Sequence, residues 1–187
     1  MNKKEIRTLD ITNLQTRDNN ETHTISGYAA VFNSPTIIGD WFEEVISPGA
    51  FSKTISENGD IRALFNHDWG QVLGRTKAGT LRLSEDDRGL KFEVDLPNTS
   101  VARDLVESLK RGDINQCSFG FIPTIEEWDD TIEPMKRTIK EVELYEISVV
   151  SIPAYEDTEV SLVRSKEIAK EVELRKKLLK QIKELLK

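Results

Sequence analysis

The 187 residues of the chain, with a net charge of −7, allow one domain with a sizeable core and room for one appendage. No long apolar run occurs, and none follows the N-terminus, so we expect neither a membrane span nor a signal peptide. Because Cys117 is the sole cysteine, an internal disulfide and a cysteine-based zinc cluster are excluded, and we expect a reducing, intracellular setting.

The net charge is unevenly distributed along the chain. Residues Arg164–Lys187 carry nine Lys or Arg and four Glu, a balance of +5, which leaves −12 for residues 1–163. An acidic body argues against nucleic acid as its partner, whereas the basic tail can bind an acidic partner. We therefore expect a folded domain over 1–163 and a separate segment over 164–187.

The N-terminal third predicts strands separated by one short helix. Residues 1–22 are polar and weakly patterned, which is typical of an arm or an edge strand. Thr24–Phe32 has the composition of a strand. Ser47 followed by Pro48 is typical of a helix start, with Ser47 as the N-cap, and we expect this helix to end near Gly59.

The next segments predict more strands and a second helix. Ile61–Phe65 is strand-like, and a period of two places His67 on the same face as Ile61, Ala63 and Phe65. Two further runs indicate a hairpin, and a helix with an N-terminal cap and a C-terminal glycine follows them. These elements are the strands Leu81–Leu83 and Gly89–Leu96 and the helix capped by Ser100 and ended by Gly112.

Two last strands complete the body, over Gln116–Ile122 and Arg137–Ile152. Several short strands with two brief helices predict a mainly β, α+β domain in which a closed or nearly closed barrel is decorated by helices. The tail segment from Lys166 to Lys187 has an apolar stripe at helical spacing, rich in Lys on its other faces. This amphipathic helix could pair protomers as a coiled coil, which would make the protein a homo-oligomer.

Candidate chemistry is confined to a few residues, because the chain has two histidines. His23 lies in a polar segment, so His67 is the better-placed base for a nucleophile. Ser118 shares a strand face with Gly120 and is a candidate nucleophile, although taken alone a small serine packed in the sheet is the better interpretation. Cys117 lies on the opposite, apolar face, where a buried and inert thiol is expected.

Glu146 is an acidic residue in an otherwise alternating strand. Continuing the alternation of Val142 and Leu144 points Glu146 inward, where a carboxylate needs a partner such as a histidine N–H. A bulge near Tyr145 would instead turn Glu146 toward solvent. Both alternatives stay open from the pattern.

Other chemistries lack their motifs. The sequence has no Gly-rich phosphate loop, no HExxH and no His/Cys cluster with metal-ligand spacing. It also lacks the G-x-S-x-G elbow of the α/β-hydrolases. We therefore expect no cofactor and no metal.

Taken in order and spacing, blocks between Ser26 and Val160 resemble the prohead maturation protease family of HK97-type tailed phages. The blocks are Gly27–Asn33, Glu44–Phe51, Phe65–Asp68, Val72–Gly74, Gly89–Leu90, Cys117–Phe121 and Glu146–Ala154. The resemblance implies a serine endopeptidase with the closed β-barrel of the related herpesvirus assemblin. It also implies that Ser118 is the nucleophile, His67 the general base and Glu146 the third member of a triad.

The resemblance further implies where the protein acts. The substrates would be the major capsid protein, a scaffold and the protease itself, inside the immature prohead in the host cytoplasm. The loop Ser151–Asp157 is the expected source of an oxyanion hole. The C-terminal helix could then be a docking tail that self-cleavage removes, and the alternative function is a non-proteolytic assembly or scaffolding protein on the same barrel.

Overall fold

The computed structural model describes residues 4–10, 15–19, 22–39, 41–57 and 59–151, together with Leu174, Lys177, Leu178 and Gln181. Apart from those four positions, the helix predicted over 164–187 lies outside the described residues. The division of the chain at residue 163 therefore stays a prediction. None of the described helices is long and apolar enough to cross a membrane.

The described part of the chain contains eleven strands, two α-helices and one short 3-10 helix, Thr76–Ala78. The strands are β1 Glu5–Asp10, β2 Gln15–Asn19, β3 Thr22–Val31, β4 Thr36–Ile38, β5 Phe42–Ile46, β6 Arg62–Phe65, β7 Asp68–Arg75, β8 Leu81–Glu85, β9 Gly89–Asp95, β10 Gln116–Asp129 and β11 Met135–Val150. The helices are α1 Ser52–Ser56 and α2 Ser100–Arg111.

The described strands form two sheets rather than the predicted closed barrel. A seven-stranded sheet has the order β1-β10-β11-β5-β4, and β6 joins β11 and carries β7. The second sheet has the order β2-β3-β9-β8. Closure of a barrel requires every strand to be paired on both sides, whereas β1 and β8 each end a sheet. The prediction of a mainly β protein with few helices is confirmed, whereas the predicted closed barrel is not found among the described strands.

One apolar core joins the two sheets. It contains residues of the small sheet, such as Ile25 and Phe92, and residues of the large sheet, such as Ile147. Phe119 is fully buried in this core, with its ring centroid 5.7 Å from that of Phe51 and 5.1 Å from that of Phe121. Full burial of such a side chain stabilises the fold by about 1.5–3 kcal/mol.

The first helix begins later than its sequence motif predicts. Phe51 occupies the N-cap position of α1, and Glu85 supplies the cap from another strand by accepting the Phe51 N–H at 2.9 Å. Ser47 is not the cap, because it lies four residues before Phe51; its N–H donates to the carbonyl of Ile139 in β11. A tertiary contact therefore replaces the local Ser-Pro signal.

The second helix follows its prediction closely. Its N-cap is Thr99, whose side chain accepts the Ala102 N–H at 3.3 Å, one residue before the predicted Ser100. Gly112 ends the helix with φ of 78°. This left-handed conformation favours glycine, so the C-terminal prediction is confirmed.

The central strands position the site. β10 and β11 form a long antiparallel hairpin. β11 is paired in parallel by β5 along Met135–Ile139 and by β6 along Glu146–Val149. The polar N-terminal segment that predicted an edge strand is β1, which pairs with β10 at the edge of the large sheet.

Candidate active site

The site begins with one face of the β10–β11 hairpin. Ser118 lies opposite Ser148, and Gly120 lies opposite Glu146. Side chains two residues apart on a strand share a face. Ser118, Gly120, Glu146 and Ser148 therefore project to the same side of the sheet.

A bulge at Tyr145 decides where Glu146 points. Gly120 pairs with Glu146, but the next residue, Phe121, pairs with Leu144, so Tyr145 is an extra residue on β11. A bulge of this kind reverses the alternation of faces beyond it. Leu144 and Glu146 consequently project to opposite faces.

For Glu146, each of the two alternatives from the sequence is right in part. The bulge exists, yet it does not turn Glu146 to solvent, because the side chain is 3 % exposed. The prediction of an inward carboxylate is confirmed, whereas the predicted face, shared with Val142 and Leu144, is wrong. Both faces of the hairpin are buried here, which a strand pattern alone does not distinguish.

His67 reaches the same face by a turn in the backbone. Asn66 and His67 have φ of 51° and 59°, both in the left-handed region that non-glycine residues rarely adopt. The predicted period of two therefore ends at Phe65, and His67 does not share a face with Ile61. Strain of this kind costs on the order of 1–3 kcal/mol and is concentrated at functional sites.

Several hydrogen bonds hold the turn in place. The His67 N–H donates to Ser148 Oγ at 3.2 Å. The Asn66 N–H donates to the carbonyl of Val149 at 2.9 Å, and Asn66 Oδ1 accepts the Ser151 N–H at 2.9 Å. The turn is thus fixed to the last residues of β11, on which Glu146 and Ser148 lie.

The imidazole and the carboxylate are in direct contact. His67 Nδ1 lies 2.8 Å from Glu146 Oε1. The other carboxylate oxygen accepts the Ser148 hydroxyl at 2.5 Å. Gly120 makes room for this carboxylate, since a Cβ at position 120 would lie 2.5 Å from Glu146 Oε1.

The second ring nitrogen of His67 has no partner. Among the described residues, Nε2 is the one buried side-chain nitrogen or oxygen without a hydrogen bond. Because an ionised Glu146 can only accept, Nδ1 carries the hydrogen, and Nε2 of the neutral ring presents a lone pair. Buried polar atoms without partners are rare and mark positions that need an explanation.

Ser118 is fully buried, and its hydroxyl is engaged elsewhere. Its Oγ donates to the carbonyl of Arg7 at 2.8 Å and accepts the Thr8 hydroxyl at 3.1 Å, both on β1. The structure therefore brings His67 and Glu146 together, and it places Ser118 on the adjacent strand without a hydrogen bond to His67. The link between them is Ser148, which faces Ser118 and bonds to both other residues.

The other residues weighed from the sequence take no part in this cluster. Cys117 is 1 % exposed on the apolar face, and burial raises the pKa of its thiol well above the usual range. His23 lies on β3 of the other sheet. Over the part of the chain that the structure describes, no group of His, Cys, Asp and Glu could hold a metal ion.

The expected oxyanion loop is described at its first residue alone. The Ser151 N–H is already bound by Asn66, so it does not supply a donor. Residues 152–157 lie outside the described residues. The sequence predicted no role for Ser148 or Thr8. A role for Ser148 could have been predicted, because it lies two residues from Glu146 and therefore on the same face of the strand.

A comparison with known families identifies the group to which the sequence is related. A model of the family described as caudovirus prohead serine protease matches residues 10–173, a range that includes His67, Ser118 and Glu146. The chain belongs to this family. The family resemblance predicted from the sequence is thereby confirmed.

Two individual relatives add detail to the family assignment. The chain is 32 % identical over 102 residues to the prohead protease of Escherichia phage T5, a match that covers 54 % of this chain and 45 % of the relative. The matched region thus spans less than half of that relative's length. The solved structure of the bacteriophage T4 capsid assembly protease matches with a TM-score of 0.52 and 12 % identity, over 80 % of this chain and 98 % of that chain. This second similarity shows a shared fold.

Proposed function

We propose that the chain is a serine endopeptidase in which Ser118, His67 and Glu146 form the catalytic triad. The contact between His67 Nδ1 and Glu146 is the observation that carries the proposal, because it leaves the buried Nε2 as an acceptor without a donor. A general base needs such a lone pair beside a nucleophile, with a third group that orients it. Membership of a serine protease family supports the same assignment.

The first chemical step uses the three side chains in fixed roles. Ser118 turns its hydroxyl from Arg7 toward His67, and Nε2 takes the proton as Oγ attacks the scissile carbonyl carbon. The imidazolium that forms is stabilised by the Glu146 carboxylate at Nδ1. The tetrahedral intermediate then collapses, Nε2 returns the proton to the leaving amine, and an acyl-enzyme remains on Oγ.

The second half of the reaction releases the enzyme. A water molecule gives a proton to Nε2 and attacks the acyl carbon. The bond between that carbon and Oγ then breaks, Oγ takes the proton back from Nε2, and the new carboxyl terminus of the product leaves. Backbone N–H donors must stabilise the oxyanion in both halves of the reaction, and one such donor lowers the activation free energy by about 3 kcal/mol. Ser148 takes no proton in this scheme, but it fixes the carboxylate by its hydroxyl and the His67 backbone by its oxygen.

The family and the two relatives indicate the substrates. One relative is named a prohead protease and the other a capsid assembly protease. We therefore place the activity inside the immature prohead in the host cytoplasm. Its substrates there are the major capsid protein, the scaffold and other copies of this chain.

The test replaces the nucleophile in the full-length chain. Ser118→Ala should lower cleavage of the coat and scaffold proteins of the same phage by about 10⁴- to 10⁶-fold, as loss of a triad serine does. Ser84→Ala is the matched control, because Ser84 is an exposed strand serine on β8. Processing and self-cleavage are measured by mass spectrometry of the products.

The two outcomes separate the protease from its alternative. Cleavage that persists in Ser118→Ala would contradict the assignment of the nucleophile. A wild-type chain that cleaves neither coat, scaffold nor itself would favour the non-proteolytic assembly protein.

The C-terminal segment has its own proposal. We propose that residues 166–187 dock the protease to coat or scaffold, or pair two copies, through their apolar stripe. Deletion of 166–187 should reduce the number of copies packaged per prohead without changing peptide cleavage in solution. Normal packaging of the truncated chain would contradict docking. If sedimentation gives the same number of chains per particle for the truncated and the full chain, pairing is contradicted.

A further inference from the structure

The strand β1 lies directly against the proposed nucleophile. It pairs with β10 over all six of its residues, with Thr8 opposite Ser118. Both hydrogen bonds of the Ser118 hydroxyl are made to β1, and the side chain is fully buried. β10 is paired by β1 on one side and by β11 on the other, so a peptide has no free strand edge beside Ser118.

Lys4, the residue directly before β1, contacts the two segments that carry the base and the acid. Lys4 Nζ lies 4.7 Å from the ring centroid of Trp69 and 4.5 Å from that of Tyr145. Trp69 is two residues beyond His67, and Tyr145 directly precedes Glu146. A cation between two aromatic rings is a favourable contact that can be removed without a change in the core.

The middle of β1 is held by buried ion pairs. Arg7 lies between Glu5 and Glu44, with Nη2 at 2.5 Å from Glu5 Oε2 and Nε at 2.5 Å from Glu44 Oε1. Arg137 on β11 donates to Glu5 at 2.8 Å and to Glu44 at 2.9 Å. These contacts join β1 to β5 and β11 by charge, in addition to the backbone pairing of β1 with β10.

We infer that β1 is an autoinhibitory strand that sequesters Ser118 until it is released from β10. In the described arrangement the hydroxyl is bound to β1, while His67 Nε2, the atom that should accept its proton, has no partner. Release of β1 frees the hydroxyl for the base and exposes one edge of β10. The inference rests on the proposed function, because it assigns a regulatory element to that same nucleophile.

A reversible disulfide between β1 and β10, called the lock below, tests the inference in the full-length chain. Asp10 and Gln116 are opposite each other across β1 and β10. Residues opposite each other on antiparallel strands are close enough for a disulfide. Asp10→Cys with Gln116→Cys, oxidised, should lower the rate at which a fluorescent fluorophosphonate labels Ser118 by at least about 10-fold, and reduction should restore it.

A second disulfide serves as the matched control. Arg82 and Glu93 are opposite each other across β8 and β9, in the sheet that does not contain β1. Arg82→Cys with Glu93→Cys should label at the same rate when oxidised and reduced.

The opposite change weakens the hold on β1. Lys4→Met removes the cation from between Trp69 and Tyr145 and should raise the labelling rate by about 2- to 30-fold, the range that corresponds to a cation–π contact. Lys4→Arg keeps the cation and should label like the wild type. This pair decides the question on its own if the cysteines at 10 and 116 fail to form a disulfide.

The results distinguish the inference from the function on which it rests. Equal labelling of the oxidised and reduced lock, or an unchanged rate in Lys4→Met, would overturn autoinhibition while Ser118 remains the nucleophile. No labelling of Ser118 in any form, including reduced and Lys4→Met chains, would overturn the proposed function itself.

Discussion

Two buried polar clusters lie on the large sheet, and they differ in how completely their polar atoms are paired. The ion cluster consists of Glu5, Arg7, Glu44, Glu126 and Arg137. The cluster at the proposed active site, called the active-site cluster below, consists of His67, Ser118, Glu146 and Ser148. The consecutive residues Arg7 and Thr8 project to opposite faces of β1, so the two clusters approach the same strand from opposite sides.

The ion cluster pairs every charge that it buries. Arg137, which is 2 % exposed, donates to Glu5, Glu44 and Glu126. Burial raises the pKa of Glu5, but hydrogen bonds and charges from Arg137 and Arg7 outweigh it and hold that pKa below its ordinary value. A fully paired cluster of this kind has no atom left to react with a substrate.

The active-site cluster has the opposite property. Its carboxylate is fully used by His67 and Ser148, but His67 Nε2 has no partner. Because leaving a buried polar atom unpaired costs roughly 1–3 kcal/mol, such an atom persists where a function needs it. The comparison teaches that incomplete pairing, rather than burial or charge, distinguishes the proposed active site from the ion cluster. The predictions below should therefore separate catalytic losses in one cluster from stability losses in the other.

The largest expected effect is catalytic. Glu146→Gln removes the charge beside His67 and should lower kcat/KM by about 10²- to 10⁴-fold, as loss of a triad acid does. The unfolding temperature should change little. Glu143→Gln, an exposed glutamate on the same strand, is the control. Peptide cleavage and thermal unfolding are measured together. Unchanged activity would contradict the assignment of Glu146 as the third member.

The next effect concerns stability and lies in the ion cluster. Arg137→Met leaves Glu5 and Glu44 to share Arg7, and it should lower the free energy of unfolding by about 3–5 kcal/mol. Arg82→Met removes an exposed salt bridge with Asp95 and should lower the free energy of unfolding by no more than about 1 kcal/mol. Denaturant unfolding measures both. A stable Arg137→Met chain with lost activity would reverse the roles assigned to the two clusters.

A smaller effect is expected at Gly120. An added Cβ would lie 2.5 Å from Glu146 Oε1 and must displace the carboxylate from His67. Gly120→Ala should lower kcat/KM by about 10- to 100-fold, the loss expected when a catalytic group is misplaced by about 1 Å.

A double-mutant cycle provides the control for Gly120. If Gly120→Ala acts through the carboxylate, combining it with Glu146→Gln should be no slower than Glu146→Gln alone. Losses that multiply in the double variant would show that Gly120 acts on the site by another route.

The smallest effect is the pH dependence of the ion cluster. Because the pKa of Glu5 is depressed in the folded chain, the stability it contributes is present above the ordinary carboxyl value of 4.5 and is lost as pH falls below it. Glu5→Gln should therefore lose stability less steeply than the wild type on acidification. Denaturant unfolding between neutral and acidic pH measures the two slopes. Equal slopes would mean that Glu5 is not held by Arg137 and Arg7.

The sequence predicts the parts of the fold that depend on local alternation. β8 and β9 were predicted because Leu90, Phe92 and Val94 alternate with polar residues along a half-buried strand. The two-sheet arrangement could not be predicted, since it depends on which distant edges pair. Residues 1–22 were predicted as an arm or an edge strand, and β1 does lie at a sheet edge, but the burial of Glu5 and Arg7 depends on partners far along the chain.

The candidate site likewise has one part that the sequence predicts and another that it does not. The shared face of Ser118 and Gly120 follows from a regular strand and was predicted. The faces of His67 and Glu146 were not, because a left-handed turn at two non-glycine residues and a one-residue bulge each reverse the alternation. Neither feature has a sequence signal comparable to a glycine or a proline at the same position.

Mapping the covalent adduct of a fluorophosphonate tests the central claim most directly. After long incubation of the full-length chain, peptide mass spectrometry should find the adduct on Ser118. The adduct should be absent from His67→Gln and retained in His23→Gln, because His67 Nε2 is the proposed base. An adduct on another residue, or equal labelling of Ser118 in His67→Gln, would contradict the account.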